Sequence, residues 1–256
     1  MIISRKRFLQ IAGVSVIAAA GEKLSGTFAG AMQKVSLSSK DVMKPCRWAM
    51  AIDLEACLQK EGCTKCIEAC HRGHNVPEIG GAHRVEWIWK APYDQAFPND
   101  PSEYQYSRLK NAPVLLLCNH CDNPPCVRVC PTKATWKRED GVVMMDWHRC
   151  IGCRYCMAAC PYGSRSFNWT DPRPDIANQD PDFPTRTKGV VEKCNLCEER
   201  LGRGELPLCV LACPQKAMIF GDLDDPDSTV RGALRRRYTI RRKPELGTNP
   251  QVYYIV

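Results

Sequence analysis

Sixteen cysteines fall into four groups of four, and their spacing constrains this chain more than any other feature. "CNHCDNPPCVRVCP" places Cys118, Cys121, Cys126 and Cys130 at gaps of two, four and three residues. "CIGCRYCMAACPYG" places Cys150, Cys153, Cys156 and Cys160 at gaps of two, two and three. "CNLCEERLGRGELPLCVLACP" sets Cys194 and Cys197 close together, with Cys209 and Cys213 after an eleven-residue insertion. The opening group, "LEACLQKEGCTKCIEACH", is uneven. Five residues separate Cys57 from Cys63, two separate Cys63 from Cys66, and three separate Cys66 from Cys70. Cys46 is left over.

Two-residue gaps let a tight loop turn its thiolates and backbone N–H groups toward one cubane iron–sulfur cluster. A cysteine three residues further on has entered a helix and points toward a second cluster, with proline after it. Pro131, Pro161 and Pro214 follow the last cysteines of their groups, whereas His71 follows Cys70. Two such runs make one ferredoxin-like unit holding two clusters. Four runs therefore predict an α+β chain of two pseudo-symmetric ferredoxin-like units with loop insertions, carrying four [4Fe–4S] clusters on sixteen cysteines. Zinc ribbons do not need a third and fourth cysteine at these offsets. A disulfide scaffold compensates for a chain too short to build a core, and 256 residues is not that short. The five histidines, His71, His74, His83, His120 and His148, read as donors around clusters or as surface residues rather than as ligands.

The N-terminus, "MIISRKRFLQIAGVSVIAAAGEKLSGTFAGA", has a basic start (Arg5, Lys6, Arg7), an apolar run from Phe8 to Ala20 and a small-residue end at Ala29-Gly30-Ala31. That layout is an export signal, too short in its apolar part for a membrane helix. "SRKRFLQ" resembles the twin-arginine signal, with Lys6 standing where the second arginine belongs. Clusters are assembled in the cytoplasm, so a chain threaded out unfolded would arrive without them. A route that carries folded cargo fits both facts. It predicts a place at the extracytoplasmic (periplasmic) face of the cell membrane.

The formal charge of +8 looks at first like a nucleic-acid signal. The leader contributes +3 of it, and four oxidised clusters at roughly −2 each would outweigh the remainder. The basic balance reads mostly as compensation for cofactors. The run "RGALRRRYTIRRK" at 231–243 reads as a solvated face or a contact with acidic headgroups or an acidic partner. No nucleic-acid binding motif accompanies it.

From about Arg47 to Val256 the chain resembles the four-cluster ferredoxin-type subunits of membrane-bound oxidoreductases. These include the electron-transfer subunits of polysulfide, dimethyl sulfoxide and formate-dependent nitrite reductase systems. "RWAMAIDLEAC" matches the opening strand of that family. The stretch from "PVLLLCNHC" to "MAACPYG" matches its central half, and "KCNLCEERLGRGELPLCVLACPQKAMIFGDLDDPDS" its fourth motif. The leader and the ending "LGTNPQVYYI" resemble the periplasmic members found in heterodisulfide-reductase-like menaquinol oxidoreductase complexes of sulfite reduction.

The resemblance implies a division of ligands. Cys57, Cys63 and Cys66 would join Cys213, and Cys194, Cys197 and Cys209 would join Cys70. Cys118, Cys121 and Cys126 would join Cys160, and Cys150, Cys153 and Cys156 would join Cys130. The usual first motif of the family has two residues between its first two ligands, so this chain carries three extra in "LQKEG". Cys57 still follows the predicted strand, and Cys46 precedes it and is assigned no cluster. The resemblance also implies two partners, a polytopic quinone-handling membrane subunit and a multihaem cytochrome c or other redox subunit.

The expected organisation is a leader at 1–31 and a linker at 32–46. A first unit follows at 47–110 and 186–256, with a second at 111–169 and a Pro- and Asp-rich surface insertion at 170–185. "RVEWIW" (84–89), "PVLLLC" (113–118) and "GVVMMD" (141–146) read as short strands, with Trp87 and Trp89 as core. No nucleophile–base pair or substrate-pocket signature is visible, so the expected role is electron transfer rather than catalysis. The rivals are a self-contained enzyme with one open iron and a disulfide-rich secreted protein. Within electron transfer, the alternative is the iron–sulfur subunit of a molybdopterin reductase, hydrogenase or nitrite reductase system.

Overall fold

The stretch "WAMAID" is apolar on both of its alternating faces, and the fold covers both. It forms β1 (Trp48–Asp53), flanked in one sheet by antiparallel β8 (Met218–Asp222) and parallel β10 (Val252–Ile255), with β9 (Thr239–Ile240) antiparallel beyond β10. The computed structural model describes residues 46–99, 107–109 and 112–256. The leader and all of the linker but Cys46 lie outside the described residues.

Ala49 and Ala51 face a helix, α8 (Thr229–Arg236), through Val230 and Ala233. Small side chains let that helix sit close. At Gly221 on β8 a Cβ would already lie 3.2 Å from Val230 Cγ1. Met50 and Ile52 point the other way, into the main core with Trp87, Leu115, Leu117 and Tyr254. The helix thus buries Val230 and Ala233 while Arg235, Arg236 and Arg237 of the basic run remain exposed.

Three antiparallel pairs complete the described strands: β2 (Ile88–Pro92) with β3 (Pro113–Leu117), β4 (Thr135–Lys137) with β5 (Val143–Met145), and β6 (Ser166–Phe167) with β7 (Val191–Glu192). The strand expected at 84–89 begins instead at Ile88, because its partner β3 pairs Ile88 with Leu117 and Pro92 with Pro113. Residues 86 and 87 have other bonds to make. Glu86 N donates to Ser166 Oγ at 2.9 Å, and the Trp87 indole donates to Glu192 at 2.8 Å. Trp87 is core, as expected, and Trp89 is partly buried against it. The 170–185 segment is mostly exposed, but Phe183 is buried and meets His74 and Trp87 edge to face.

The remaining helices are short: α1 (Leu54–Leu58), α2 (Lys65–Gly73), α3 (Tyr93–Ala96), α4 (Pro125–Arg128), α5 (Tyr155–Ala159), α6 (Glu198–Leu201) and α7 (Leu208–Leu211). Prolines explain the lengths. A residue before proline is driven out of the helical region, and α5 stops at Cys160, extended at φ −81° and ψ 109° before Pro161. α4 and α7 end ahead of Cys130-Pro131 and Cys213-Pro214 in the same way. Only α2 has no proline after its last cysteine, and it runs nine residues, straight through Cys70. The described architecture is α+β, and no described helix is long and apolar enough to cross a membrane.

Candidate metal centres

Each cysteine group begins where a strand or extended segment ends. Asp53 closes β1 and caps α1, its Oδ1 accepting from Ala56 N at 2.9 Å, which delivers Cys57 on the first turn. The residue before the second cysteine is left-handed in all four groups: Gly62 (φ 66°), His120 (φ 40°), Gly152 (φ 70°) and Leu196 (φ 63°). That conformation reverses the chain so that successive sulfurs and N–H groups face the same way. Gly62 occupies the same place in the uneven group. The extra residues of "LQKEG" are therefore taken up between Cys57 and the turn, leaving the turn itself intact.

The helices then divide each group between two places. Cys66 and Cys70 lie one turn apart on α2, four residues in sequence, and the same spacing relates Cys126 to Cys130, Cys156 to Cys160 and Cys209 to Cys213. α2 packs on α7, and α4 on α5. Four quartets of sulfurs result. In quartet I, Cys57 has Cys213 and Cys63 beside it, and Cys66 has all three. In quartet II, Cys70 is surrounded by Cys194, Cys209 and Cys197. Quartet III is a hollow lined by Cys118, Cys121, Cys126 and Cys160, and quartet IV one lined by Cys130, Cys150, Cys153 and Cys156. These are the sets that the family resemblance joins.

The quartets stand in series. Cys70 and Cys209 of II neighbour Cys66 of I, Cys194 of II neighbours Cys118 of III, and Cys156 of IV neighbours Cys126 of III. α2, and α7 with the turn after it, join I to II, and α4 and α5 with the turns after them join III to IV. No described helix joins II to III. Cys46 lies apart, with Asp222, Asp140, Arg138 and Asp224 as its charged neighbours and no cysteine among them.

The electrostatics suit a cationic cofactor. Burial pushes Cys66 up to about 11 and Cys121 and Cys194 to about 12, and holds Cys70 and Cys209 well above the usual thiol value. Thiols this reluctant to ionise become thiolates only when a metal takes the place of the proton. Cys118 and Cys130 go the other way. Burial would raise Cys118 too, yet the Lys193 ammonium and His120 bring it down to about 5. Backbone N–H groups point at sulfur from Leu196 to Cys194 (3.4 Å), Leu208 to Cys197 (3.4 Å), Ala217 to Cys213 (3.3 Å) and Val191 to Cys150 (3.5 Å). Four sulfurs per site, with N–H donors at quartets I, II and IV and buried cations around III, fit an iron–sulfur cluster at each quartet.

The histidines take supporting places. His74 is fully buried, bonded to Cys70 O at 2.8 Å and to Glu199 at 3.1 Å. His120 Nδ1 accepts from Val143 N at 3.1 Å beside Cys118. His83 stacks on Trp169, and His148 is exposed. Sequence reasoning missed the buried charges Lys193, Arg165 and Arg242 and the half-buried Glu199. For Lys193 and Arg165 there was a signal, a basic residue directly before Cys194 and another five residues after Cys160.

Sulfur quartets chained through short helices, on a frame of small sheets, define a ferredoxin-type iron–sulfur protein. Comparison with known proteins agrees. Two family models, each described as a 4Fe-4S dicluster domain, match residues 114–173 and 149–218. The Hdr-like menaquinol oxidoreductase iron-sulfur subunit 1 of Archaeoglobus fulgidus is 41% identical, covering 98% of this chain and 97% of that protein. Protein NrfC homolog of Haemophilus influenzae is 36% identical over 99% of this chain and 95% of its own. The menaquinone reductase iron-sulfur cluster-binding subunit of Nitratidesulfovibrio vulgaris is 37% identical over 82% and 88%. The chain belongs to the family of ferredoxin-type iron–sulfur electron-transfer subunits of membrane oxidoreductase complexes.

Proposed function

We propose that this chain holds four [4Fe–4S] clusters, one per quartet, and relays single electrons through a respiratory complex. The partners are a polytopic quinone-handling membrane subunit and a cytochrome c or another iron–sulfur protein, in sulfite- or sulfate-linked respiration. The observation that carries the reading is the series of quartets, each neighbouring the next, with Cys153 of quartet IV exposed at one end. Bound clusters supply reversible one-electron chemistry; the cysteines hold them, and the N–H donors and buried charges tune them. On this reading β1 and β8 frame one ferredoxin-like unit with the first and fourth motifs, and β4 and β5 frame the other with the second and third. The protein is a relay and not a catalyst on its own.

The relative from Archaeoglobus fulgidus is named for menaquinol oxidation, and this supports the same quinone pool here. The leader supports export in the folded state to the extracytoplasmic face. Iron and acid-labile sulfide analysis of the purified chain tests the cofactor reading, with about 16 of each expected. A colourless protein rich in disulfides, or one holding zinc, overturns it. Fusing residues 1–31 to a reporter in a strain lacking twin-arginine export tests the location. Relatives include subunits of tetrathionate and arsenate reductases, so the second reading is the relay of a molybdopterin reductase. Co-purifying subunits separate the two, a multihaem cytochrome supporting the first and a molybdopterin protein the second.

A further inference from the structure

Three cations are buried around quartet III, and none has a carboxylate partner among the described residues. Lys193 is 2% exposed, donating to Val143 O and to Cys194 O (2.8 Å), and Val143 lines the hollow of quartet III. Arg165 is 5% exposed, lines the same hollow and donates to Thr135 Oγ1 at 2.9 Å, with Cys126 and Cys156 beside its guanidinium. Arg242 is 4% exposed, donates to Ala96 O at 3.0 Å and stacks over Tyr162, with Cys160 nearby. Arg186, by contrast, is buried equally deeply but paired with Glu192 at 2.6 Å.

A buried charge without a counterion is costly. The three cations therefore need a negative partner, and the iron-bound thiolates of the adjoining cluster supply it. The placement is uneven along the series. Lys193 lies between quartets II and III, and Arg165 between III and IV. Only quartet III receives both, and Arg242 as well. Quartet II has Glu199 beside Cys194 and Cys197. Quartet I has Lys90 set against Asp53. Quartet IV opens to solvent at Cys153, where water screens charge.

We propose that Lys193, Arg165 and Arg242 make quartet III the site of highest reduction potential in the relay, the place where the first electron settles. Reduction adds one electron, and so one negative charge, to the group that the four cysteines hold. Fixed cations in a low-dielectric surrounding favour that added charge. The neighbours II and IV, each touched by one of these cations, follow. The relay then carries an internal one-electron reservoir at its third position rather than an even slope.

The inference rests on the four-cluster reading, and the two fail separately: iron and sulfide content tests the reading, midpoint potentials test the inference. The holoprotein is titrated with dithionite in the presence of mediators, and reduced signals are followed by electron paramagnetic resonance. In Lys193→Gln and in Arg165→Gln the first signal to appear should move to lower potential with iron unchanged, and Lys193→Arg should leave it in place. A first signal at the wild-type potential in both glutamine variants, with iron retained, overturns the proposal. Should those variants lose iron, Cys121→Ser decides. The first-reduced signal must be the one displaced or lost, and its survival unaltered overturns the assignment.

Discussion

Arg186 and Glu192, both excluded from solvent, meet at 2.6 Å between Nη2 and Oε2. The pair ties distant parts of the chain together. Arg186 also donates to the carbonyls of His74 (2.5 Å) and Asn75 (2.6 Å) at the end of α2, and its guanidinium lies over the Trp87 and Trp147 rings. Glu192, on β7, accepts from Trp87 Nε1 at 2.8 Å and Asn168 Nδ2 at 2.5 Å. The helix carrying Cys66 and Cys70 is thereby held to the segment leading into Cys194.

Breaking this pair from one side leaves a buried charge uncompensated, which costs about 3–5 kcal/mol. Arg186→Met and Glu192→Leu should each lower Tm by roughly 10 °C or more in a thermal scan of the loaded protein. Replacing both together should cost clearly less than the sum of the two.

Two glycines before second ligands share a left-handed backbone but differ in surroundings. Gly62 (φ 66°) faces open space, whereas a Cβ on Gly152 (φ 70°) would lie 2.4 Å from Gly189 O. Gly62→Ala should cost only the left-handed penalty, about 1–2 kcal/mol, with iron retained. Gly152→Ala must also push back the segment at Gly189, so iron content should fall from about 16 toward about 12 as quartet IV opens. Equal iron in the two variants would mean that the contact does not matter.

Cys57 and Cys46 are the only cysteines before the turn at Gly62, and just one has other sulfurs as neighbours. Cys57→Ser should disturb one cluster, seen as lost iron or a changed resonance signal, while Cys46→Ser leaves all four. The reverse pattern would exchange their roles.

Burial holds the His71 imidazole down to about 4, and its Nε2 has no hydrogen-bond partner among the described residues. In the unfolded chain this group titrates near 6.5. Between those values the unfolded state takes up a proton that the folded state refuses, so stability falls as pH drops from about 6.5 to about 4. The loss reaches up to about 3 kcal/mol at the lower end. Comparing Tm for wild type and His71→Gln across this range isolates the effect, and the gap between them should narrow or reverse in favour of the variant at low pH. Parallel curves would show that His71 protonates equally in both states.

Much of the local structure was legible because short-range physics imposes it. Prolines after Cys130, Cys160 and Cys213 stop their helices, and the absence of one after Cys70 lets α2 run on. The family resemblance of "RWAMAIDLEAC" marked an opening strand, and β1 stands there, but its covering on both faces comes from the tertiary structure. The strand read at 84–89 slid to Ile88–Pro92, since its register belongs to β3, more than twenty residues away. Phe183 looked like part of a polar insertion, and its burial against His74 and Trp87 depends on contacts far away along the chain.

By itself, then, the sequence determined where each cysteine leaves a loop or rides on a helix, because spacing, left-handed turns and helix stops are set by neighbours along the chain. Which quartets stand side by side, and the three unpaired cations that gather on quartet III, were decided only by the tertiary structure. Lys193, Arg165 and Arg242 come from three separate segments, and no local rule brings their charges to one place.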